Sequence, residues 1–470
     1  MRLSGIPLIF GAALSVLAAD RSFTSYASVK PVLEDQRDRL PAELRNADEA
    51  AWNAWSQKHD QAIRARLEQG DLDSLVNLLL FGTSFTKQPR IRVENIAGAS
   101  KAGTLRARVD DLVAGLGSPG GNERLVFLSG LVRNKGIDPH APGPTGVFLY
   151  DQLQRVLKER QTFAERVEEA KRVNRANTAS DSASPLDRIS LFEDRGVSLD
   201  TSIFPNFSIE QTLRDLKKRG VLREGQVARV AVIGPGLDFA DKNEESGYDY
   251  YPQQTLQPFA LYDSLVRLGL ARASALSMSI LDISPRVIDH IQRARERALK
   301  QAGKNTGYVI QLPRDVARPW PPDLIAYWGS LGDRVGAAVA PIRPPEIFQG
   351  LQTRAVRIRP DVVLACEPVD LNIVLQRMVL QRMNPAAPGR EQAGFDLMVG
   401  TNIFLYYDAF EQTLALENAG AMLKTGGLLL TNDRLPEASG GSMRLAGLTD
   451  VRYDSPGVSA HDAVGWYQKR

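Results

Sequence analysis

VARVAVIGPGLDF, residues Val227 to Phe239, is the stretch on which the fold reading turns. Five of the six residues before Gly234 are apolar, and a short unbroken apolar run ended by glycine reads as a strand covered on both faces, as the strands of parallel sheets are. Gly234 and Gly236 let the chain turn tightly and bring its backbone close to a ligand. A Gly-x-Gly after a strand also occurs in turns that bind nothing, so its neighbours must decide. Upstream, Ser208 and Gln211 have the spacing of a capping box for a helix predicted to end at Gly220. Downstream, SMSILDIS (Ser277 to Ser284) reads as a second strand with Asp282 near its carboxyl tip, followed by a helix opened by Ser284 and Pro285.

An acid at the tip of the second strand of a doubly wound sheet accepts hydrogen bonds from the ribose hydroxyls of a nucleotide. Asp282 is therefore the leading ligand candidate; the alternative is that it caps the next helix, a role Ser284 can also fill. From Gly236 to Asp282 is 46 residues, more than twice the roughly 20 expected between glycine turn and ribose acid. An insertion is thus predicted beside the ligand. It carries Asp241, Glu244, Glu245, Tyr248, Tyr250, Tyr251, Gln253 and Gln254, then a helix from about Leu256 to Leu268, and reads as a lid or as a solvated loop. A second expansion, Leu312 to Arg357, is proline-rich, contains Trp320 and Trp328, and reads as an accessory subdomain.

FDLMVGTNIFLYYD, from Phe395 to Asp408, continues the alternation of strand, turn and helix. It is followed by a helix from Ala409 to Leu423 and by LKTGGLLLTND as turn and further strand. Such alternation requires an open parallel sheet with helices on both faces. This layout resembles that of class I S-adenosylmethionine (SAM) dependent methyltransferases. Within them, GTNIFLYYDAFEQ is similar to the chemotaxis-receptor glutamate methyltransferases, Asn402 and Ile403 matching an Asn-Val pair of that family. Its earlier Asn-Leu pair, which lies against the adenine, has its counterpart in EPVDLNIVLQ, where Asp370, Leu371 and Asn372 are the matching candidates. The resemblance implies an α/β, Rossmann-like doubly wound fold that binds SAM and transfers a methyl group to an acceptor the sequence does not reveal. The implied cofactor set is Gly234, Gly236, Asp238, Asp282, Asp370, Leu371, Asn372, Asn402 and Ile403. It covers about Val227 to Asp433 and departs from the family twice. Val232 stands where most members have an acid, and Asp238 stands at the third glycine, where its carboxylate is positioned to replace the missing one. No catalytic base is assigned. Tyr406 and Tyr407 follow the strand where an acceptor would sit, and read equally well as packing residues.

The remainder of the chain reads as a leader, 1–19, and a mostly helical domain, 20–180, joined by the polar stretch Asn177 to Pro185 to the sheet domain, 190–470. Arg2, the apolar run Ile6 to Leu17 and Ala18-Ala19 have the form of an export signal, too short for a membrane-spanning helix. Export sits awkwardly with a SAM enzyme, for which the cytoplasm is the alternative compartment. Pro41 is placed to open a helix through Trp52, Trp55 and Ile63 to Gly70, continued by Leu72 to Leu80, with the two tryptophans as core. Phe148, Leu149, Leu153, Val156 and Leu157 recur at helical spacing, and the repeated pentad Val-Leu-Gln-Arg-Met (Val374 to Met378, Val379 to Met383) is predicted to be helix.

Composition narrows the function. Lys+Arg 58 against Asp+Glu 55 leaves a formal charge of +3, too balanced to imply a nucleic-acid partner. Cys366 is the single cysteine, so no intramolecular disulfide can form, and with four histidines and no CxxC or HExxH no metal is assigned. A nicotinamide oxidoreductase would share the strand, glycine turn and acid, but the third glycine is absent and the one Tyr-x-x-x-Lys, Tyr26 to Lys30, precedes the sheet. No Gly-x-Ser-x-Gly elbow supports a serine hydrolase. A binding or scaffold module on the methyltransferase fold is the non-enzymatic alternative.

Overall fold

The computed structural model describes residues 21–91, 99–177, 203–239, 249–300, 307–316, 319–345, 350–380, 394–453 and 461–470. The leader, the polar stretch beyond Asn177, and Asp241, Glu244, Glu245 and Tyr248 lie outside them. In chain order the strands are β1 (Arg21–Phe23), β2 (Arg229–Ile233), β3 (Ser277–Asp282), β4 (Val309–Asp315), β5 (Gly336–Val339), β6 (Leu351–Ile358), β7 (Cys366–Asp370), β8 (Gln376–Met378), β9 (Phe395–Gly400), β10 (Leu423–Thr431), β11 (Met443–Arg452) and β12 (His461–Lys469).

The apolar run before Gly234 becomes β2, at the centre of a seven-stranded sheet ordered β11-β12-β10-β9-β2-β3-β7. The pairs β2/β3, β3/β7, β2/β9 and β9/β10 are parallel, while β12 runs antiparallel to both β10 and β11. From β2 the chain builds outward through β3 and β7, then returns to the other side of β2 with β9 and β10. That reversal falls at the carboxyl ends of β2 and β9, the place where open α/β sheets bind ligands. Because side chains alternate across a strand, Val230 and Val232 enter one core while Ala231 and Ile233 enter another on the opposite face. The first core is covered by α6 (Ile203–Lys218), α7 (Gln257–Arg267) and α8 (Pro285–Lys300), and the second by α9 (Ala409–Met422). The expansion after β3 folds as a three-stranded antiparallel sheet, β4-β6-β5.

The N-terminal part is helical: α1 (Tyr26–Asp35), α2 (Glu49–Phe81), α3 (Ala99–Gly117), α4 (Glu123–Asn134) and α5 (Pro142–Asn177). Its core is shared. Trp52 and Ile63 of α2 enter the sheet core beside Phe410 and Met398, whereas Leu72 to Phe81 of the same helix join Leu112, Leu128 and Leu149 in a third cluster.

Three local expectations are corrected. The long helix starts at Glu49, not at Pro41, because Asp48 accepts from the Ala51 N–H at 2.8 Å and satisfies the first turn; the residues after Pro41 make one uncapped 3-10 turn, Ala42–Leu44. Ser208 lies inside α6, which already begins at Ile203, and its hydroxyl donates to Asp462 at 3.0 Å instead of capping; Gly220 beyond the helix does adopt φ +73°. The first pentad is no helix: Gln376–Met378 is β8, drawn into an extended form by antiparallel pairing with β1. The second pentad runs beyond the described residues.

Candidate functional site

The glycine turn is built for close approach. Gly234 has φ +60° and donates its N–H to the Leu281 carbonyl at 2.8 Å, and Gly236 has φ +69°. A Cβ on Gly234 would lie 2.7 Å from the Cδ1 of Ile403, so both backbone conformation and space require glycine. Ile403 thus packs on the turn and draws the tips of β2 and β9 together.

Asp282 ends β3 beside this turn, 5% exposed. Its two oxygens differ. Oδ1 accepts from the Ser284 N–H at 2.8 Å, the helix-capping role, whereas Oδ2 is buried without a partner. Burial pushes the carboxyl up to about 7, opposed by the Ser284 and Ile283 N–H groups, while the Asp370 charge raises it and Arg64 lowers it. A buried acceptor left open is costly, and a ligand hydroxyl is the type of donor that would complete it.

The next strand end is already engaged. Asp370, at the tip of β7, forms ion pairs with Arg21 at 2.6 Å and Arg64 at 2.8 Å. Leu371 is buried in the sheet core. Asn372 donates from Nδ2 to Asp60 at 2.8 Å and accepts from the Val374 N–H at 3.1 Å. Asp60 also takes the Arg64 Nε–H at 2.9 Å, and Arg64 donates to the Ile283 carbonyl at 3.2 Å. Helix α2 therefore lies across the ends of β3 and β7. Nearby, the His59 ring nitrogen Nε2 meets Glu411 at 2.6 Å, and Trp55 stacks on His59. Sequence reasoning missed Asp60 and Arg64. Their only local signal is an acid and a base four residues apart, which also describes an ordinary exposed helix pair.

Asp238 accepts from the Tyr251 hydroxyl at 2.6 Å and from Gln254 at 3.1 Å. The buried Arg124 of α4 donates to the carbonyls of Phe239 at 2.5 Å, Asp238 at 2.9 Å and Tyr251. The described part of the insertion is fastened to the helical segment, since Asp249 accepts from the Thr83 N–H at 2.6 Å and the Ser84 hydroxyl at 2.6 Å.

Asn402 is the one described non-glycine residue with positive φ, +57°. Its N–H donates to Asn432 Oδ1 at 2.8 Å and its Oδ1 accepts from Asn432 Nδ2 at 2.7 Å, tying the tips of β9 and β10. The geometry thus gives Asn402 a turn-shaping role. Asp433 beside Asn432, also unforeseen, accepts from the Phe404 N–H at 3.1 Å, and burial raises its carboxyl to about 6. Tyr407 is 2% exposed and burial raises its phenol, whereas Tyr406 is 9% exposed. The structure thus brings Gly234, Asp282 and Ile403 together at the carboxyl ends of β2, β3 and β9, with Asn402 on the same side, and joins Asp370 and Asn372 to α2.

No family model and no curated protein matches the chain. Among solved structures it is similar to TrmN from Thermus thermophilus, at 12% identity and TM-score 0.24, covering 57% of this chain and 52% of that one. The chain thus spans about half the length of TrmN. It is similar to N-methyltransferase NodS from Bradyrhizobium japonicum WM9 in complex with S-adenosyl-L-homocysteine, at 12% identity, TM-score 0.26, 61% of this chain and 98% of that one. A third is MtNAS in complex with MTA and tNA, at 12% identity, TM-score 0.23, 88% of this chain and 98% of that one.

Proposed function

We propose that the chain is a SAM-dependent methyltransferase whose acceptor is still to be identified. The observation that carries this reading is the unpartnered, buried Oδ2 of Asp282 beside a positive-φ glycine turn, at the point where the strand order reverses. A ribose fits there, its hydroxyls donating to a carboxylate at the end of the second parallel strand. When bound, the cofactor supplies a methyl group on a positively charged sulfur, and transfer needs alignment of donor and acceptor more than acid chemistry. The chain's own residues do the positioning. Gly234 and Gly236 allow backbone approach, Asp282 holds the ribose, and α2 shields the ends of β3 and β7 from water. In this reading Asp238 stands in for the acid that Val232 replaces. The chemotaxis-receptor likeness adds Asn402 as a cofactor neighbour.

Calorimetric titration of the purified chain with SAM, S-adenosyl-L-homocysteine and NADH tests the reading. Binding of the first two without NADH is expected, and binding of NADH alone would make the protein an oxidoreductase instead. Binding of SAM with no turnover over a panel of acceptors would favour the scaffold alternative, for which the engagement of Asp370 and Asn372 by α2 speaks. In Asp282→Ala, SAM affinity should fall by about 1.5–3 kcal/mol, the worth of charge-assisted hydrogen bonds. An unchanged affinity would remove Asp282 from the site.

A further inference from the structure

A cavity of about 580 Å³ opens between α2, α4 and the turn that follows β3, within the roughly 300–1,000 Å³ range of small-molecule pockets. Only Ile283, in the turn after β3, and Pro285, the first residue of α8, come from the sheet domain; the remainder comes from α2 and α4. Leu67, Phe127, Leu131 and Ile283 supply apolar wall, and Val126, 51% exposed, extends the apolar surface along α4. The charged side chains of the lining already have opposite charges beside them. Arg64 meets Asp60 and Asp370, Glu68 meets Lys135 at 2.5 Å, and Asp71 meets Arg286 at 2.5 Å. An ionised ligand would find no unmatched charge here and would lose its hydration. Gly130, in the interior of α4, faces open space: a Cβ built there meets nothing within 4 Å. Glycine inside a helix is less favourable than alanine, and here it leaves a notch in the cavity wall.

We propose that this cavity binds a second small molecule, separate from the nucleoside proposed at Asp282: neutral and largely apolar. Its place beside Arg64, which reaches from the cavity wall to the Ile283 carbonyl and to Asp370, puts that molecule next to the strand ends. Its role as the body of the methyl acceptor rests on the methyltransferase reading; its binding does not.

The test is a fluorescence titration of the full chain with N-phenyl-1-naphthylamine, a neutral aromatic probe, beside calorimetry with SAM. Saturable binding with one probe per chain is expected in the native protein. In Gly130→Met the added side chain enters the notch, so probe affinity should fall at least about tenfold, with the melting temperature kept or raised and SAM affinity unchanged. Leu67→Phe fills the cavity from the opposite wall and should act alike, which secures the test should one variant fold poorly. Absence of saturable probe binding, or equal affinity in a folded Gly130→Met, overturns the proposal. So does competition between SAM and probe, because the cavity would then hold part of the cofactor. Probe binding by a chain that takes no SAM would defeat the methyltransferase reading and leave the cavity assignment standing.

Discussion

Asp282 spends one oxygen on the Ser284 N–H and keeps the other buried and open, and this division has a pH signature. Its carboxyl is raised from 3.8 to about 7 in the folded chain, so folding favours the protonated form. Its contribution is therefore fully present below about pH 4 and is lost as pH rises towards 7. Asp282→Asn keeps an acceptor for Ser284 and removes the charge. Its melting temperature relative to the native chain should climb between pH 4 and 7.5, and a constant difference across that window would show that Asp282 does not titrate there. Ligand hydroxyls that donate to Oδ2 favour the carboxylate, so SAM affinity should rise from pH 6 to 8, at most about tenfold per unit; calorimetry at three pH values reads it. Asn402 poses a different question, because φ +57° already demands a residue that tolerates the left-handed region. Asn402→Gly should keep the unfolding free energy within about 1 kcal/mol of the native value, whereas Asn402→Ala should lose about 1–2 kcal/mol. If both keep full stability and both lose SAM affinity, the side chain is a ligand contact rather than a turn former.

At the scale of elements, Arg124 is the strongest single fastening between α4 and the chain after the glycine turn. It is 2% exposed, and its guanidinium serves the carbonyls of Phe239, Asp238 and Tyr251. Replacing it by methionine leaves buried acceptors unpaired and should cost about 3–5 kcal/mol in urea unfolding. Arg124→Lys should be nearly as damaging, since an ammonium cannot reproduce the planar fork; full recovery by lysine would mean that charge alone matters. These fastenings separate what the sequence discloses from what it does not. β2, β3 and β9 are legible because strands largely buried on both faces are mostly apolar, and each is closed by a glycine or an acid at its tip. Asp282 was legible for the same reason: its place at the tip of β3 follows from local order alone. The bridge from Asp60 to Asn372 spans 312 positions, and nothing local distinguishes Asp60 from any solvated helix residue. β8 is not legible locally, because Leu-Gln-Arg-Met suits a helix equally well and only β1, brought in from the far end of the chain, makes it a strand.

At the scale of the whole molecule, one helix enters both cores. α2 has 33 residues, its first half buried against the sheet through Trp52 and Ile63 and its second half in the helical cluster through Leu72 to Phe81. Continuity through residues 67–72 should therefore make the two cores unfold together, as parts of one cooperative unit. A proline at position 68 tests this with little loss of packing, because the Glu68 side chain is 58% exposed. Proline removes the N–H that bonds the residue 64 carbonyl and its ring clashes with that carbonyl, at a cost of about 3 kcal/mol or more. The five tryptophans, at 52, 55, 320, 328 and 466, all lie outside the 72–177 stretch, so their fluorescence follows the sheet side while far-UV circular dichroism is weighted by the helices of both. In the native chain the two thermal transitions should coincide. In Glu68→Pro the dichroism should acquire an earlier step that fluorescence does not see, as α3, α4 and α5 melt away from an intact sheet. If the two probes still coincide at a lowered midpoint, the coupling runs through Arg124 and through Asp249 with Thr83 and Ser84, side-chain contacts that a break in the α2 backbone would spare.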